Sequence, residues 1–576
     1  MRKLRFALVP LLILMLVVGT IACSSSETQP TTLHTPSPWT GNAIVRTLYG
    51  PVEGFEDRGE TWAWKAIPYA KPPVGELRWK APQDPNQWNV TRAETKFCSE
   101  CTQYDISNSV VGSEDCLYLN IWRPKSEEGD LPVYFWIHGG GNSMGTASDE
   151  GYNGANIASK SNMVVVTVNY RLGPLGWFTY PALRSGEPGH ESDDSGNYGT
   201  LDLIEALKWV QANIEAFGGD SANVTIAGES AGAINVFSLL ISPPAKNLFH
   251  KAIAQSGIPT ARLMVDGEGG AHAAILKLLV NDGTATDAQA AQKYLDSLSN
   301  AQVEAYLRSK SGAELLKAYE SGYFGMISFP YIFEDGTVIV ETGFDTFDTG
   351  TYPNKVPIIL GTTKEETKLF LFLDPSFVGK DELYQAVASY SSDLWKAIGV
   401  DSVARELRSY PDQPNVYVYQ FLWGAGGDAG KSAIPAPWGF RLGACHSLDI
   451  PFFFGNDIWN GQLSLLVFNK ENRPGRESLS NAMMAYVAQF ARTGDPNKSG
   501  SGLTEWHAWS NAVDEPKCIL FNVQGDMLYL AMSNAELTAS GVKAKLAAEV
   551  PEPLYSETLQ FVNKMSTKFQ LELELP

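Results

Sequence analysis

Asn223-Val224-Thr225-Ile226-Ala227-Gly228-Glu229-Ser230-Ala231-Gly232-Ala233-Ile234-Asn235-Val236-Phe237-Ser238-Leu239-Leu240 joins a β-branched, apolar run to a run with the character of a buried helix. The junction reads Gly-x-Ser-x-Gly. A serine on a sharp strand-to-helix turn needs small neighbours, because the turn brings backbone against backbone while it lifts the hydroxyl above the sheet. Ser230 is therefore the candidate nucleophile. The pattern occurs a second time at Gly141-Asn142-Ser143-Met144-Gly145, but Thr146-Ala147-Ser148-Asp149 follows it with no apolar helical start. Ser143 lacks the helix half of the turn and is set aside.

Upstream, Pro132-Val133-Tyr134-Phe135-Trp136-Ile137 and Met163-Val164-Val165-Val166-Thr167-Val168 are nearly continuous apolar runs. Runs of this kind suit strands buried on both faces. Leu201 to Val210 carries its apolar residues at helical spacing, between the second of those runs and the one ending at Ala227. Strand, helix, strand predicts an α/β fold with a large, mostly parallel central sheet flanked by helices. From about Pro259 to Ser328 the sequence turns Ala-, Leu- and Gln-rich, which predicts a helical insertion with a capping box at Thr286 and Gln289. Val356 to Leu360 and Val416 to Phe421 then resume the sheet. The closing Phe569 to Leu575 alternates like an edge strand.

A serine nucleophile needs oxyanion donors, a base and an acid. His138-Gly139-Gly140-Gly141 follows an apolar strand, and a glycine loop there lets backbone N–H groups approach a developing oxyanion. When the nucleophile sits on such a turn, the acid and then the histidine follow it along the chain. Of the seven histidines only His250, His272, His446 and His507 come after Ser230, and the first two leave little room for an intervening acid. His250 reads as a solvated helix end, His272 as the start of the insertion, and His507, in Glu505-Trp506-His507-Ala508-Trp509, as a member of a packed aromatic cluster. His446, in Gly443-Ala444-Cys445-His446-Ser447, is the expected base. The strand Val356 to Leu360 opens into Gly361-Thr362-Thr363-Lys364-Glu365-Glu366, so Glu365 and Glu366 compete for the acid.

Composition sets the boundaries. A chain of 576 residues, 44% hydrophobic and 11% aromatic, has material for a large core. The formal charge of −20 becomes −23 without Arg2, Lys3 and Arg5, which opposes nucleic acid and anionic lipid and favours small-molecule partners. Those basic residues precede an apolar stretch from Phe6 to Ala22, then Cys23 and a polar run. The layout is that of an export signal, and Ala22-Cys23 resembles a bacterial lipoprotein cleavage site with Cys23 as the lipid-bearing residue. Simple cleavage and an uncleaved anchor are the alternatives. Residues 1–22 are read as the signal, 23–42 as a flexible tether rich in Ser, Thr and Pro, and 43–576 as one domain. Six cysteines do not make a disulfide scaffold, and Cys101 with Cys116 is the pairing most compatible with loop closure. No spacing suggests zinc, and the chemistry needs no metal or organic cofactor.

Ile67-Pro68-Tyr69-Ala70-Lys71-Pro72-Pro73-Val74-Gly75-Glu76-Leu77-Arg78-Trp79, Ser113-Glu114-Asp115-Cys116-Leu117-Tyr118-Leu119-Asn120, Asn169-Tyr170-Arg171-Leu172-Gly173, Phe217-Gly218-Gly219-Asp220 and Gln255-Ser256-Gly257 occur in one order around the Ser230 turn. Together they resemble the type-B carboxylesterase and cholinesterase-like family of the α/β-hydrolase superfamily, from Ala43 to about Phe521. The resemblance implies a serine carboxylic-ester hydrolase acting on a small or medium ester. It aligns Lys364-Glu365-Glu366 with the family's lysine-aspartate-glutamate triplet, which makes Glu366 the acid, and it assigns the oxyanion donors to the N–H groups of Gly140, Gly141 and Ala231. It also implies a Cys101–Cys116 bridge, an Arg78–Glu114 ion pair and a supporting role for Ser256. Thr367 stands where the family usually has glycine, and Ser221 where it has proline. The segment between Cys101 and Cys116 holds no Trp, so acetylcholine is not an expected substrate. Glu229 could assist a cationic substrate or the imidazolium, or only belong to a buried polar network. A lipase or amidase would use the same triad, and a non-catalytic adhesion or binding protein on the same fold is the alternative outside enzymes.

Overall fold

The computed structural model describes residues 34–568, apart from Glu94. Eleven strands form one sheet. They are β1 (Phe55–Asp57), β2 (Thr61–Pro68), β3 (Tyr118–Pro124), β4 (Leu131–Ile137), β5 (Val164–Val168), β6 (Gly219–Glu229), β7 (Lys251–Gln255), β8 (Ile358–Thr363), β9 (Val416–Phe421), β10 (Cys518–Gln524) and β11 (Met527–Ser533). Their spatial order is β11-β10-β9-β8-β7-β6-β4-β5-β3-β2-β1. Pairing is parallel from β5 through β4, β6, β7, β8 and β9 to β10, and antiparallel at both margins. Every residue of β4, β5, β7 and β8 is buried, as the unbroken apolar runs require of strands covered on both faces.

Chain order reverses between β4 and β6. β5 lies on one side of β4, and β6 returns to lie on the other. A parallel sheet opens a crevice beyond the carboxyl ends of the strands at such a reversal.

Helix α1 (Tyr198–Asn213) connects β5 to β6, and α2 (Ala231–Leu240) follows β6 directly. The insertion between β7 and β8 holds α3 (Met264–Asn281), α4 (Ala288–Leu295), α5 (Asn300–Arg308) and α6 (Gly312–Leu316). The capping box expected at Thr286 is not formed. Asp287 caps α4 instead, its carboxylate accepting from Ala290 N, and the capping boxes lie at Ser299–Gln302 and Ser311–Glu314. The shorter carboxylate one residue on is already extended and reaches the third N–H of the helix, so Thr286 has no free donor to serve.

The tether is shorter than expected. Trp39 donates its indole N–H to Ser126 O at 2.9 Å, meets Trp64 edge-on and lies under the Arg123 guanidinium at 4.1 Å. A residue with that much apolar and cation-binding surface anchors the stretch 34–42 that its Ser- and Pro-rich neighbours made look free. Residues 1–33, with the signal and Cys23, lie outside the described residues, as does the edge strand expected at Phe569 to Leu575.

Helix α7 (Asp381–Lys396) runs beside the site, and a carboxy-terminal pair, α8 (Ala539–Glu549) and α9 (Leu554–Lys568), packs on it. Val542, Leu546 and Val562 of the pair join Tyr390, Leu394 and Ala397 in one apolar cluster, and the Phe561 ring lies 4.8 Å from Phe377. Lys380 with Glu557 at 3.1 Å and Tyr390 with Glu549 at 2.9 Å edge the contact. Among the described residues no helix is long and apolar enough to cross a membrane.

Candidate active site

Ser230 sits between β6 and α2 with φ 57° and ψ −122°, a conformation that costs energy in any residue but glycine. The surroundings enforce it. Ser230 N–H donates to Gln255 O of the neighbouring strand at 2.8 Å, and Ser230 O accepts from Ala233 and Ile234 at 3.0 Å each. A Cβ on Gly232 would collide with the Ile137 carbonyl oxygen, and one on Gly228 would come within 2.5 Å of the Gly232 backbone. Both glycines of the pattern are thus set by backbone crossing backbone, which is what the sequence reading required.

The glycine loop leaves β4 next door. A Cβ on Gly139 would lie 3.1 Å from Ser230 Cβ, so loop and nucleophile adjoin. Gly140 and Gly141 have φ of 106° and 62°, and a side chain on Gly140 would meet the Met144 carbonyl. The N–H groups of Gly140, Gly141 and Ala231 donate to no protein acceptor among the described residues. Ala231 opens α2, where the first N–H groups have no partner within the helix and carry its positive pole.

Several buried polar residues hold this loop. His138 Nδ1 meets Gly139 O at 2.8 Å, its ring stacks on Tyr170 at 4.5 Å, and burial pushes its pKa down to about 4, so it stays neutral. Tyr170 OH donates to His138 O at 2.7 Å, and Arg171 forks onto Asp202 of α1 at 2.8 and 2.7 Å. Asn142 and Asn235 exchange side-chain hydrogen bonds, 2.9 Å from Asn235 Nδ2, tying the loop to α2. The polar Asn235 in a mostly apolar helical run was the available sign of that link.

Ser143, the rejected match, is structural. Its Oγ accepts from Ile327 N at 3.2 Å and so fastens the end of the insertion to the glycine loop. Cys101 and Cys116 are bridged, and within the segment they close Gln103 donates to Gly145 O and accepts from Gly145 N at 2.9 and 2.8 Å. Arg78 grips Glu114 through two hydrogen bonds of 2.7 and 2.5 Å and also donates to Lys310 O at 2.6 Å. The ion pair therefore pins the insertion as well as its own loop.

Glu366 and His446 are brought together. Glu366 Oε2 accepts from His446 Nδ1 at 2.5 Å, while Oε1 accepts from Ser256 Oγ and Thr362 Oγ1 at 2.6 Å and from Thr363 N at 2.7 Å. Ser256 begins the loop after β7 and Thr362 and Thr363 close β8, so two adjacent strand ends aim donors at one oxygen. Burial resists the charge on Glu366, but the His446 cation and these hydrogen bonds outweigh it and hold the carboxyl below its ordinary value.

Glu365 does other work. It pairs with Lys368 at 2.6 Å and accepts from Ala444 N at 3.0 Å, while its own N–H donates to Ala444 O at 2.9 Å. It clamps the histidine loop two residues before His446.

The imidazole lies between carboxylates. Its Nε2 is 3.1 Å from Glu229 Oε1, close but not aligned as a hydrogen bond. Burial lifts Glu229 to about 8, against the pull of His446. Burial disfavours the imidazolium too, yet Glu229 and Glu366 outweigh it and raise His446 to about 9. The two rises describe one proton. With Glu366 ionised, the proton can sit on His446 Nε2 beside ionised Glu229, or on Glu229 beside neutral His446, and the net charge is the same. A proton on Nε2 blocks the base, so the ionised Glu229 beside it helps set the pH at which His446 becomes free.

Replacing Glu229 by Gln removes the carboxylate that favours the imidazolium. The acid limb of kcat/KM follows deprotonation of His446, so it should move to lower pH by about one unit. A pH–rate profile on an aryl ester checks this, and an unmoved limb contradicts it.

A third carboxylate, Asp449, escaped the sequence reading although it lies three residues beyond His446. Burial raises it to about 6 despite a 2.6 Å hydrogen bond from Tyr419 OH, which in turn accepts from Gln255 Nε2 at 3.1 Å. Phe370 and Trp395, also unforeseen, place their rings 5.2 and 5.1 Å from that of His446.

The other histidines are elsewhere. His250 is no helix end. It precedes β7, its N–H donates to Val224 O and its ring nitrogen accepts from Val224 N at 3.1 Å, because the strand pairing begins there. His272 binds Gln292 within the insertion at 2.7 Å and Tyr180 outside it at 3.3 Å. His507 is exposed rather than packed, since Trp506 and Trp509 bury on either side and turn the ring between them outward. Among the described residues no group of three or more His, Cys, Asp or Glu side chains is placed to hold a metal ion.

A strained serine between a sheet strand and a helix, free N–H groups beside it and a carboxylate–imidazole pair at neighbouring strand ends narrow the comparison with known proteins to one group. Residues 41–380 and 378–526 match the sequence profile of the Carboxylesterase family. The chain belongs to that family. It is 33% identical over 484 residues to the para-nitrobenzyl esterase of Bacillus subtilis (strain 168), with 81% of this chain and 92% of that one covered. With carboxylesterase 1D of Rattus norvegicus it shares 31% over 524 residues, covering 80% and 87%. A solved PNB esterase structure superposes with a TM-score of 0.65 at 29% identity, covering 90% of this chain and 100% of that one. The family is that of the ester hydrolases the sequence resembled, and the fold is theirs. Helices α8 and α9 lie beyond residue 526, where the family match ends.

Proposed function

We propose that this carboxylesterase hydrolyses small to medium carboxylic esters through an acyl-enzyme on Ser230. His446 Nε2 takes the Ser230 proton as the oxygen attacks the ester carbonyl, and Glu366 fixes the tautomer with Nε2 free and then stabilises the imidazolium. The N–H groups of Gly140, Gly141 and Ala231 receive the oxyanion. His446 returns the proton to the departing alcohol, and water, activated by the same imidazole, releases the acid. The observation that carries the reading is the 2.5 Å Glu366–His446 pair, assembled with the strained serine at the carboxyl ends of β6, β7 and β8.

Substrate polarity follows from what packs on the imidazole. Phe370 and Trp395 make that side apolar and aromatic, which suits an uncharged acyl or aryl group better than a cation. The test is turnover of para-nitrophenyl esters of increasing acyl length by the full chain. Steady-state release of nitrophenol from the acetate and butyrate, falling off for long chains, is the expected result. No turnover of any member would contradict the proposal.

A further inference from the structure

Helix α7 touches both flanks of the two-carboxylate segment. Before it, Lys364 Nζ pairs with Asp393 Oδ1 at 3.1 Å, and Asp393 is buried. After it, Thr367 N–H donates to Ser392 Oγ at 3.1 Å, and Thr367 Oγ1 lies 3.2 Å from Ala388 O, 2.8 Å from Ser391 Oγ and 3.1 Å from Ser392 Oγ. Ala388, Ser391 and Ser392 share one face of α7, and Asp393 flanks it. One turn further, Trp395 donates its indole N–H to Ser256 O at 3.2 Å and sets its ring against His446. The helix thus holds Lys364, Thr367 and Ser256, three residues directly attached to or bonded with the segment that carries Glu366. Thr367 is fully buried, and a residue without a hydroxyl there would supply none of these side-chain contacts.

We propose that α7 is a clamp that sets the catalytic acid, with Thr367 as its principal positioning residue. The inference rests on Glu366 being the acid of the triad. A segment of two adjacent glutamates has two ways to turn, and a rotation that exchanged their directions would send Glu365 toward His446 and Glu366 toward Lys368. Hydrogen bonds on both flanks, made to one rigid helix, remove that freedom. The outer face of α7 is packed by α8 and α9, so the clamp is backed by a helical pair that the family profile does not include.

The experiment compares Thr367→Val, which keeps shape and loses the hydroxyl, with Thr367→Ser, which keeps the hydroxyl. Active sites are titrated with a fluorophosphonate in each preparation, so that rates refer to competent enzyme. A wild-type protein that takes up no fluorophosphonate would signal failure of the esterase reading rather than of the clamp. Thr367→Val is expected to lower kcat on para-nitrophenyl acetate about tenfold with KM unchanged, since a displaced acid misaligns the base without altering binding. Its acid limb should shift to lower pH, because His446 loses part of the carboxylate's support. Thr367→Ser should match wild type in both. Wild-type kcat and pH profile in Thr367→Val would overturn the proposal, as would an equal loss in Thr367→Ser.

Discussion

Ser230→Ala is expected to lower kcat on a short-chain aryl ester by about 10⁵- to 10⁶-fold while KM changes little. The variant loses only the attacking oxygen. The N–H groups of Gly140, Gly141 and Ala231 remain, as does the Glu366–His446 pair at 2.5 Å, so residual turnover by water attack in the preserved site should exceed the uncatalysed rate. Folding should survive, because Ala tolerates the φ of 57° no worse than Ser and the Gln255 hydrogen bond comes from the backbone. Rates measured on protein with an unchanged circular dichroism spectrum check this. A loss below a hundredfold would remove Ser230 from the chemistry.

Glu366→Gln is expected to cost about 10⁴-fold in kcat. The outcome depends on which atom of the amide goes where. Oε1 of Glu366 receives donors from Ser256, Thr362 and Thr363, so a glutamine must put its carbonyl oxygen there and its NH₂ toward His446 Nδ1. An NH₂ facing Nδ1 makes that nitrogen an acceptor and moves the proton to Nε2, the atom that must be free to take the proton of Ser230. The enzyme would be well folded and hold the wrong tautomer. By the same reasoning Glu365→Gln should leave the tautomer alone, because Glu365 faces Ala444 N and Lys368. A smaller loss in Glu366→Gln than in Glu365→Gln would exchange their roles.

That pair also marks how far the sequence could be read. Ser230 followed from the strand before it and the helix after it, and His446 from chain order. Both depend on local context, which a single sequence contains. Glu365 and Glu366 could not be separated this way, since adjacent residues point in different directions and only the surroundings decide which meets the histidine. The deciding donors come from Ser256, over a hundred positions earlier in the chain, and from the end of β8. Family resemblance supplied that choice, and Glu366 is the carboxylate that meets His446 Nδ1. Asp449 was hidden for a related reason, because its partner Tyr419 lies on β9 and only the sheet brings the two together.

Other readings failed where one residue outweighed its neighbourhood. Trp39 made an anchor of what composition called a tether. Trp506 and Trp509, both buried, turned His507 to solvent rather than enclosing it. The pair α8 and α9 left little signal, because each buries a narrow strip, such as Val542 and Leu546, against a helix some 150 residues away in the chain. Amphipathic periodicity states that a face is covered and never by what.

Ser230, driven by His446, is proposed to form the covalent intermediate of turnover. Labelling the full chain with a fluorophosphonate and mapping the modified peptide by mass spectrometry tests it most directly. One adduct per chain is expected, on Ser230, formed quickly in the wild type and absent from Ser230→Ala. An adduct on Ser143, or no adduct on a chain that still hydrolyses esters, would contradict it.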